Sequence, residues 1–315
     1  MHDRKSLKSY LPDPLKRVVG DVLAYPVRWY VRYFPAVAGK RWLVSAFLDR
    51  VLQRQQRASV VRAKTGGSFM CATDDLIGRH IYEFGVWEPN LTHWLCRRVA
   101  AGDAFVDVGA NIGYFSVLTS RLVGPTGNVV AIEASPSIFL VLEANLARNG
   151  ITNVRAVNLA ASDRDGRVTV FAGPASNRAL ASTVPTKGLE PESEVEARPL
   201  ADILTEAELG RARLVKIDVE GGEFAVVRGL ARALETMRPD VELVVEVSPS
   251  SLARQGEGAE ELVSLLRQRG FNVYRLENDY DPSSYVNRPT PPVRWDRPID
   301  DQSDLVFSRV EATFL

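Results

Sequence analysis

Cysteine is scarce: the 315 residues hold two, Cys71 and Cys96. They fit no metal or redox spacing, and a reducing, cytoplasmic setting is expected. Long apolar runs are absent as well. No stretch approaches the roughly 18–20 apolar residues of a membrane span. The N-terminus is polar to residue 17 and broken by Pro12 and Pro14, unlike a secretory signal. Internal repeats and long low-complexity tracts are missing too. There is no net charge either, with 39 Lys+Arg against 39 Asp+Glu. The balance is uneven, however. Residues 1–64 hold 14 cations and 4 acids, leaving 25 and 35 for the rest. Such asymmetry points to a basic arm that meets a polyanion or an anionic membrane. With 45% hydrophobic and 25% charged residues, the chain can build one large core plus an accessory region.

What is present is an ordered series of strand-and-turn signals. In Phe105-Val106-Asp107-Val108-Gly109-Ala110-Asn111-Ile112-Gly113-Tyr114-Phe115-Ser116 an apolar strand carries an acid, turns on glycine and starts a helix. This is how an α/β protein opens a nucleotide-type pocket at the carboxyl end of a strand. The spacing is G-x-N-x-G, so the pyrophosphate cradle of G-x-G-x-x-G is absent. With Asp107 in front, the turn suits a cationic, phosphate-free ligand such as S-adenosylmethionine. Asn128–Ile132 reads as the next strand, and Glu133 follows it, 20 residues after Gly113. An acid there is placed to hold the two hydroxyls of a ribose. The alternative is that Glu133 caps the helix beginning near Ser135-Pro136.

The chain divides into a basic, aromatic helical extension (1–64), a hairpin and helix leading into the core (65–100), and a main domain (101–315). In the extension, Leu43, Val44, Phe47, Leu48, Val51 and Leu52 place an apolar face on a helix near 40–57. Trp29, Tyr30, Tyr33, Phe34 and Trp42 sit among Arg28, Arg32, Lys40 and Arg41. That mixture suits either a helical cap on the main domain or a membrane interface. Gly66-Gly67 reads as a hairpin turn, and a helix is expected from Leu91 to Ala100.

In the main domain, runs at 105–108, 128–132, 154–159, 213–217, 242–247, 271–276 and 304–308 read as seven strands. Helical stretches at 114–123, 136–149, 200–209, 222–236 and 258–269 separate the first six. The pattern predicts a Rossmann-like, mostly parallel sheet covered on both faces. The last strand has no preceding helix and is expected antiparallel beside 271–276. Arg167–Phe171 and Glu194–Leu200 read as extra edge strands around a Gly/Pro/Ser-rich loop at 172–193, within an insertion spanning 167–200. Residues 277–303 are a second, Pro/Asp/Tyr-rich insertion.

Three blocks in order resemble the FkbM family of S-adenosylmethionine-dependent methyltransferases. They are Asp107–Ser116, Ala131-Ile132-Glu133-Ala134-Ser135-Pro136, and Lys216-Ile217-Asp218-Val219-Glu220-Gly221. The resemblance covers about residues 82–275. It implies a seven-stranded class I methyltransferase fold and methyl transfer, commonly to hydroxyls of sugars or secondary metabolites. Ala134 stands where such proteins often carry Pro, and Gly222 where Ala is usual.

On this reading the cofactor site comprises Asp107, Gly109, Ala110, Asn111, Gly113, Tyr114, Glu133, Ala134 and Ser135. Ala160 and Ala161, after the third strand, should face the adenine, and Glu88 the amino-acid end. Asp218, Glu246 and Glu220 are the candidates for taking the acceptor's proton or positioning it, because they cluster at the carboxyl edge. The alternatives are a Lys216–Glu220 ion pair that fixes the strand end, and an Asp218 that only orders the cofactor. Three carboxylates suit a hard cation, but no resident metal is expected. His80 and His93 read as structural.

The expected acceptor is a hydroxylated small molecule or glycan unit, with peripheral contact between residues 1–57 and an anionic membrane. Two competing readings are a non-catalytic scaffold for polysaccharide assembly and a nicotinamide-dependent oxidoreductase. No nucleic-acid partner is expected, since the main domain is acidic and lacks an Asn-Pro-Pro-Tyr type block.

Overall fold

The computed structural model describes residues 13–34, 38–54, 57–173, 181–185 and 188–315, with side chains from residue 22 onward. Its strands are β1 (Ala58–Arg62), β2 (Ser68–Ala72), β3 (Ala104–Val108), β4 (Asn128–Ile132), β5 (Val154–Val157), β6 (Ala160–Ser162) and β7 (Gly166–Ala172). They continue with β8 (Ala181–Ser182), β9 (Glu190–Pro199), β10 (Ala212–Ile217), β11 (Glu242–Val247), β12 (Asn272–Leu276), β13 (Val293–Arg294) and β14 (Ser303–Ser308).

The main sheet has the order β13-β12-β14-β11-β10-β3-β4-β5. Strands β11, β10, β3, β4 and β5 run parallel, while β14 lies antiparallel between β11 and β12. Every residue of β3, β10, β11 and β14 is buried, as expected for strands covered on both faces. Alternate residues feed two cores. Phe105, Ala131, Leu214 and Val244 face one; Val106, Ile132, Val215 and Val245 face the other. The period of two along each strand causes this division.

The departures from expectation have local causes. The 200–209 helix is two, Leu200–Ile203 and Glu206–Arg211, because Thr205 and Glu208 form a capping box that starts a new one. The third strand stops at Val157, and Ala160–Ser162 joins a second sheet of order β6-β9-β7-β8. The two expected edge strands, longer than predicted, belong to that second sheet and pair with each other rather than extending the main one. A short helix after β11, Pro249–Arg254, is absent from the sequence-based pattern; it begins with proline in its first turn, where the missing N–H costs nothing. The 277–303 insertion adds β13, so the main sheet has eight strands.

The N-terminal extension packs onto the first core. Helix Asp13–Tyr33 is followed by Lys40–Leu43, a π-turn at Val44–Leu48, and Asp49–Gln53. Val44, Leu48 and Leu52 are fully buried. Arg28 Nε donates to Tyr82 O at 2.7 Å, Arg32 Nη1 to Ile81 O at 3.0 Å, and Lys40 Nζ to Val31 O at 2.9 Å. These cations therefore satisfy backbone carbonyls, as a helical cap requires. Residues 1–12, 35–37 and 55–56 of the expected arm lie outside the described residues, as do 174–180 and 186–187 of the 172–193 loop.

Candidate functional site

One cavity opens at the carboxyl edge of the main sheet. Its wall contains Gly109, Ala110, Asn111 and Tyr114 from the first turn, Glu133 and Ala134 from the second, and Ala160 and Ala161 beyond the third. Asp218 and Glu220 line it from the loop after β10, and Glu88 from the start of helix Pro89–Arg98. Ala181, Ser182 and Thr183 of the 172–193 loop, and Tyr280 of the second insertion, complete it.

The backbone marks this place. Among the described residues, the non-glycine positions with positive φ are Glu88 (42°), Asn111 (52°) and Glu220 (56°), and all three line the cavity. Such conformations cost roughly 1–3 kcal/mol each and persist where surroundings hold them. Gly109, at φ 77°, is forced: a Cβ there would lie 1.7 Å from Asp218 O. The close approach joins the first turn to the loop after β10. By contrast, a Cβ at Gly222 would sit 3.4 Å from Thr183 Oγ1 and Val219 Cγ2. Alanine fits there, so glycine at this position removes no contact the site needs.

Glu133 is held by two backbone donors, Asn111 N–H to Oε2 and Ser135 N–H to Oε1, each at 2.9 Å. Burial still pushes its carboxyl up, to about 7. Helix capping falls instead to Ser135, whose Oγ accepts from Ile138 N–H at 3.3 Å. Ser135 thus fixes Glu133 through its backbone while its side chain turns away from the cavity wall. Asp107 is fully buried behind the wall. Its Oδ2 accepts from Ser116 Oγ at 2.6 Å, and Oδ1 has no partner among the described residues. Gly113 serves as N-cap of helix Tyr114–Val123.

Lys216 stands across the ladder from Asp107 and donates to Asp218 Oδ2 at 2.8 Å. The ion pair weighed as an alternative with Glu220 is made with Asp218. Burial works against the Lys216 charge, but Asp218, Asp107 and Glu88 outweigh it and raise its pKa. Asp218 shows the converse. Burial would raise it, yet Lys216 and a hydrogen bond from Glu246 hold it below its ordinary value.

Glu246 lies behind Asp218 rather than on the wall, in register with Asp304. Burial, then Asp218 and Asp304, push Glu246 well up. A hydrogen bond between the two carboxyl groups favours the proton on Glu246 and the charge on Asp218. Glu246 Oε1 accepts from Tyr280 Oη at 2.9 Å and Gln302 Nε2 at 2.6 Å. Glu220 is pushed to about 8 by desolvation and by Asp218, and buried Asp304 to about 7 by burial and Asp218. Glu88 is raised by burial, then by Asp304. Asp218, Glu220 and Glu246 each offer an oxygen within 4.8 Å of the others, a span one hard cation can bridge.

Sequence reasoning missed Trp87, Tyr280, Asn278, Gln302 and Asp304. Tyr280 stacks on Trp87 at 5.4 Å between ring centroids and 7° between planes. Asn278 donates to Asp304 Oδ2 at 2.6 Å. The available signal was Asp304 at the start of an antiparallel strand, which puts it on the same edge as Glu246. His80 is structural: fully buried among Phe84, Trp87 and Tyr285, it is driven down to about 3 by burial and Arg79.

A mostly parallel sheet with β14 reversed between β11 and β12 and a short reversed strand, β13, at its edge, and a cavity at its carboxyl edge without a pyrophosphate cradle, define a class I S-adenosylmethionine-dependent methyltransferase. The family model for the methyltransferase FkbM domain matches residues 107–273, and the chain belongs to that family. Its methyl donor is S-adenosylmethionine, and the nicotinamide reading falls. Methyltransferase sdnD of Sordaria araneosa is 29% identical over 211 residues, 57% of this chain and 78% of its own. The 31-O-demethyl-FK506 methyltransferase FkbM of Streptomyces tacrolimicus is 31% identical over 55% of this chain and 74% of its own. Hexuronic acid methyltransferase AglP of Haloferax volcanii is 26% identical over 61% and 78%.

Proposed function

We propose that the protein is an O-methyltransferase acting on a hydroxyl of a sugar, glycan unit or secondary metabolite. The observation that carries this is the carboxyl cluster at the donor cavity: Asp218 on its wall, with oxygens of Glu220 and Glu246 within 4.8 Å. A sugar hydroxyl is a weak nucleophile, and its proton needs an acceptor. Asp218 lines the cavity as a carboxylate. It takes that proton while Glu246, itself held by Tyr280 and Gln302, tunes the pair.

The donor fits the other residues. Glu133 presents a fixed carboxylate to the ribose hydroxyls, with Ala134, Ala160 and Ala161 beside the adenine. The Gly109–Tyr114 turn and Glu88 enclose the amino-acid end, and the Asp107 Oδ1, without a partner among the described residues, suits a cation nearby. When bound, S-adenosylmethionine supplies a methyl group on a sulfonium for in-line displacement.

The charge balance favours a hydroxyl over a carboxylate as the reacting group. Asp218, Asp107 and Glu88 surround the ammonium of Lys216, and Asp218, held below its ordinary value, faces the cavity, so an anionic group there would meet like charge. The names of AglP and FkbM make sugars and oxygenated metabolites the acceptors to screen first.

The test is transfer of labelled methyl to a panel of neutral sugars and uronic acids, with alkali treatment of any product. An alkali-stable ether supports the reading, whereas a labile ester on the carboxylate overturns it. Asp218→Asn is expected to bind S-adenosylmethionine within about threefold of wild type and to lose roughly 10²–10⁴ in turnover. Full activity in that variant removes Asp218 from the chemistry.

A further inference from the structure

Helix Asp13–Tyr33 has two apolar faces. One carries Ala24 and Val31 into the core. On the other, Val22, Tyr25, Trp29 and Tyr33 recur at i, i+3, i+7 and i+11, a single stripe. They are 67%, 70%, 53% and 59% exposed. A helix lying on a soluble domain keeps its outward face polar; here that face is aromatic. Phe34, at the end of the helix, and Trp42, on the next one, are exposed as well.

The charge around this stripe has one sign. Between residues 22 and 64 the sequence holds one acid, Asp49. It is buried and paired with Arg79 at 2.8 Å. Arg41, Arg50, Arg54 and Arg62 are exposed. Arg28, Arg32 and Lys40 are engaged with backbone carbonyls and do not contribute to the outer surface. A surface of exposed aromatic rings and guanidinium groups, with no exposed acid, is complementary to anionic headgroups over an apolar interior.

We propose that the described residues between 22 and 62 form a docking face for an anionic lipid bilayer, with the Val22–Tyr33 stripe seated at the headgroup level. The cap and the membrane face are then two sides of one helix. The same helix is tied to an element that lines the donor cavity. Arg28 and Arg32 tie this helix to Leu76–Phe84, and that second helix supplies Leu76 and Ile77 to the cavity wall.

The experiment is co-sedimentation of the full chain with phosphatidylcholine vesicles, with and without roughly one third phosphatidylglycerol, at low and high salt. The comparison variant combines Tyr25→Ser, Trp29→Ser and Trp42→Ser, all at exposed positions. Calorimetric titration with S-adenosylmethionine checks that it remains folded. Expected are salt-sensitive pelleting of the wild type with phosphatidylglycerol vesicles, and about a tenfold or greater loss in the variant at unchanged cofactor affinity. A second variant, Arg41→Glu with Arg50→Glu and Arg54→Glu, is expected to lose the salt-sensitive part. Equal pelleting of wild type and aromatic variant, or none with either vesicle, overturns the proposal. So does a wild-type dimer in sedimentation velocity that the aromatic variant abolishes without any vesicle binding, which would make this a self-association face.

Discussion

Glu133 accepts one backbone hydrogen bond at each oxygen and is still raised to about 7. Two amide donors orient the carboxylate without neutralising the cost of its burial. A ligand that brings further donors relieves that cost, which is why this residue should matter more to binding than to folding. Glu133→Ala is expected to weaken S-adenosylmethionine binding about 10²-fold or more, since hydrogen bonds to charged groups contribute roughly 1.5–3 kcal/mol each. Calorimetry on the variant, with circular dichroism to check its fold, decides it; unchanged affinity would sink the assignment. Tyr280 makes a second case at this scale. Its hydroxyl donates to Glu246 while its ring stacks on Trp87. Tyr280→Phe keeps the stack and removes a donor that favours ionised Glu246. The acidic limb of the kcat–pH profile should therefore move to higher pH, with cofactor affinity unchanged. An unmoved limb would mean that Glu246 does not influence the reacting group.

At the level of elements, the turn after β3 depends on one close approach. Gly109 has positive φ, and its α-carbon faces Asp218 O so tightly that any Cβ would overlap it. Gly109→Ala must separate the β3 turn, whose Asn111 N–H holds Glu133, from the β10 loop that carries Asp218. A destabilisation of about 2–4 kcal/mol is expected, with loss of cofactor binding. Denaturant unfolding and calorimetry would show both, and a variant that retains both would contradict the geometry. The G-x-N-x-G spacing was legible because only glycine tolerates that backbone. The turn's close approach to Asp218 was not, since the β10 loop lies more than a hundred residues further along the chain. For the same reason the 167–200 strands were recognised as strands, but their pairing into a separate sheet was not. Local alternation specifies a strand, whereas its neighbour is chosen by packing.

Across the whole molecule, buried carboxyls dominate the pH response. Glu133, Glu223 and Asp304 are all raised to about 7, each chiefly by burial. In the unfolded chain these groups lose their protons near the ordinary carboxylate value of about 4. Between about pH 4 and 7 the native state therefore binds more protons, and stability falls as pH rises. Asp218, lowered from its ordinary value, acts in the opposite sense but below this window. Without ligand, the melting temperature is expected to be higher at pH 5 than at pH 8, by on the order of 5 °C. S-adenosylmethionine, bearing a sulfonium, should favour the ionised forms and give a larger melting shift at pH 8 than at pH 5. Scanning fluorimetry at several pH values with and without the cofactor measures both, and a flat profile would show that these carboxyls are already ionised.

The sequence by itself determined the sheet's seven principal strands, their mostly parallel direction, the reversed last strand and the acids at the carboxyl edge. Those follow from apolar periodicity and from turn residues, which act over a few positions. Tertiary structure alone decided that Glu246 stands beside Asp218, that Lys216 pairs with Asp218, and that Tyr280 folds back from an insertion to hold Glu246. It also decided which side of the N-terminal helix is buried and which aromatic rings remain outside. The clustering of carboxyl groups, ion-pair choice and exposure depend on distance and desolvation between elements far apart in the chain, quantities that no local pattern encodes.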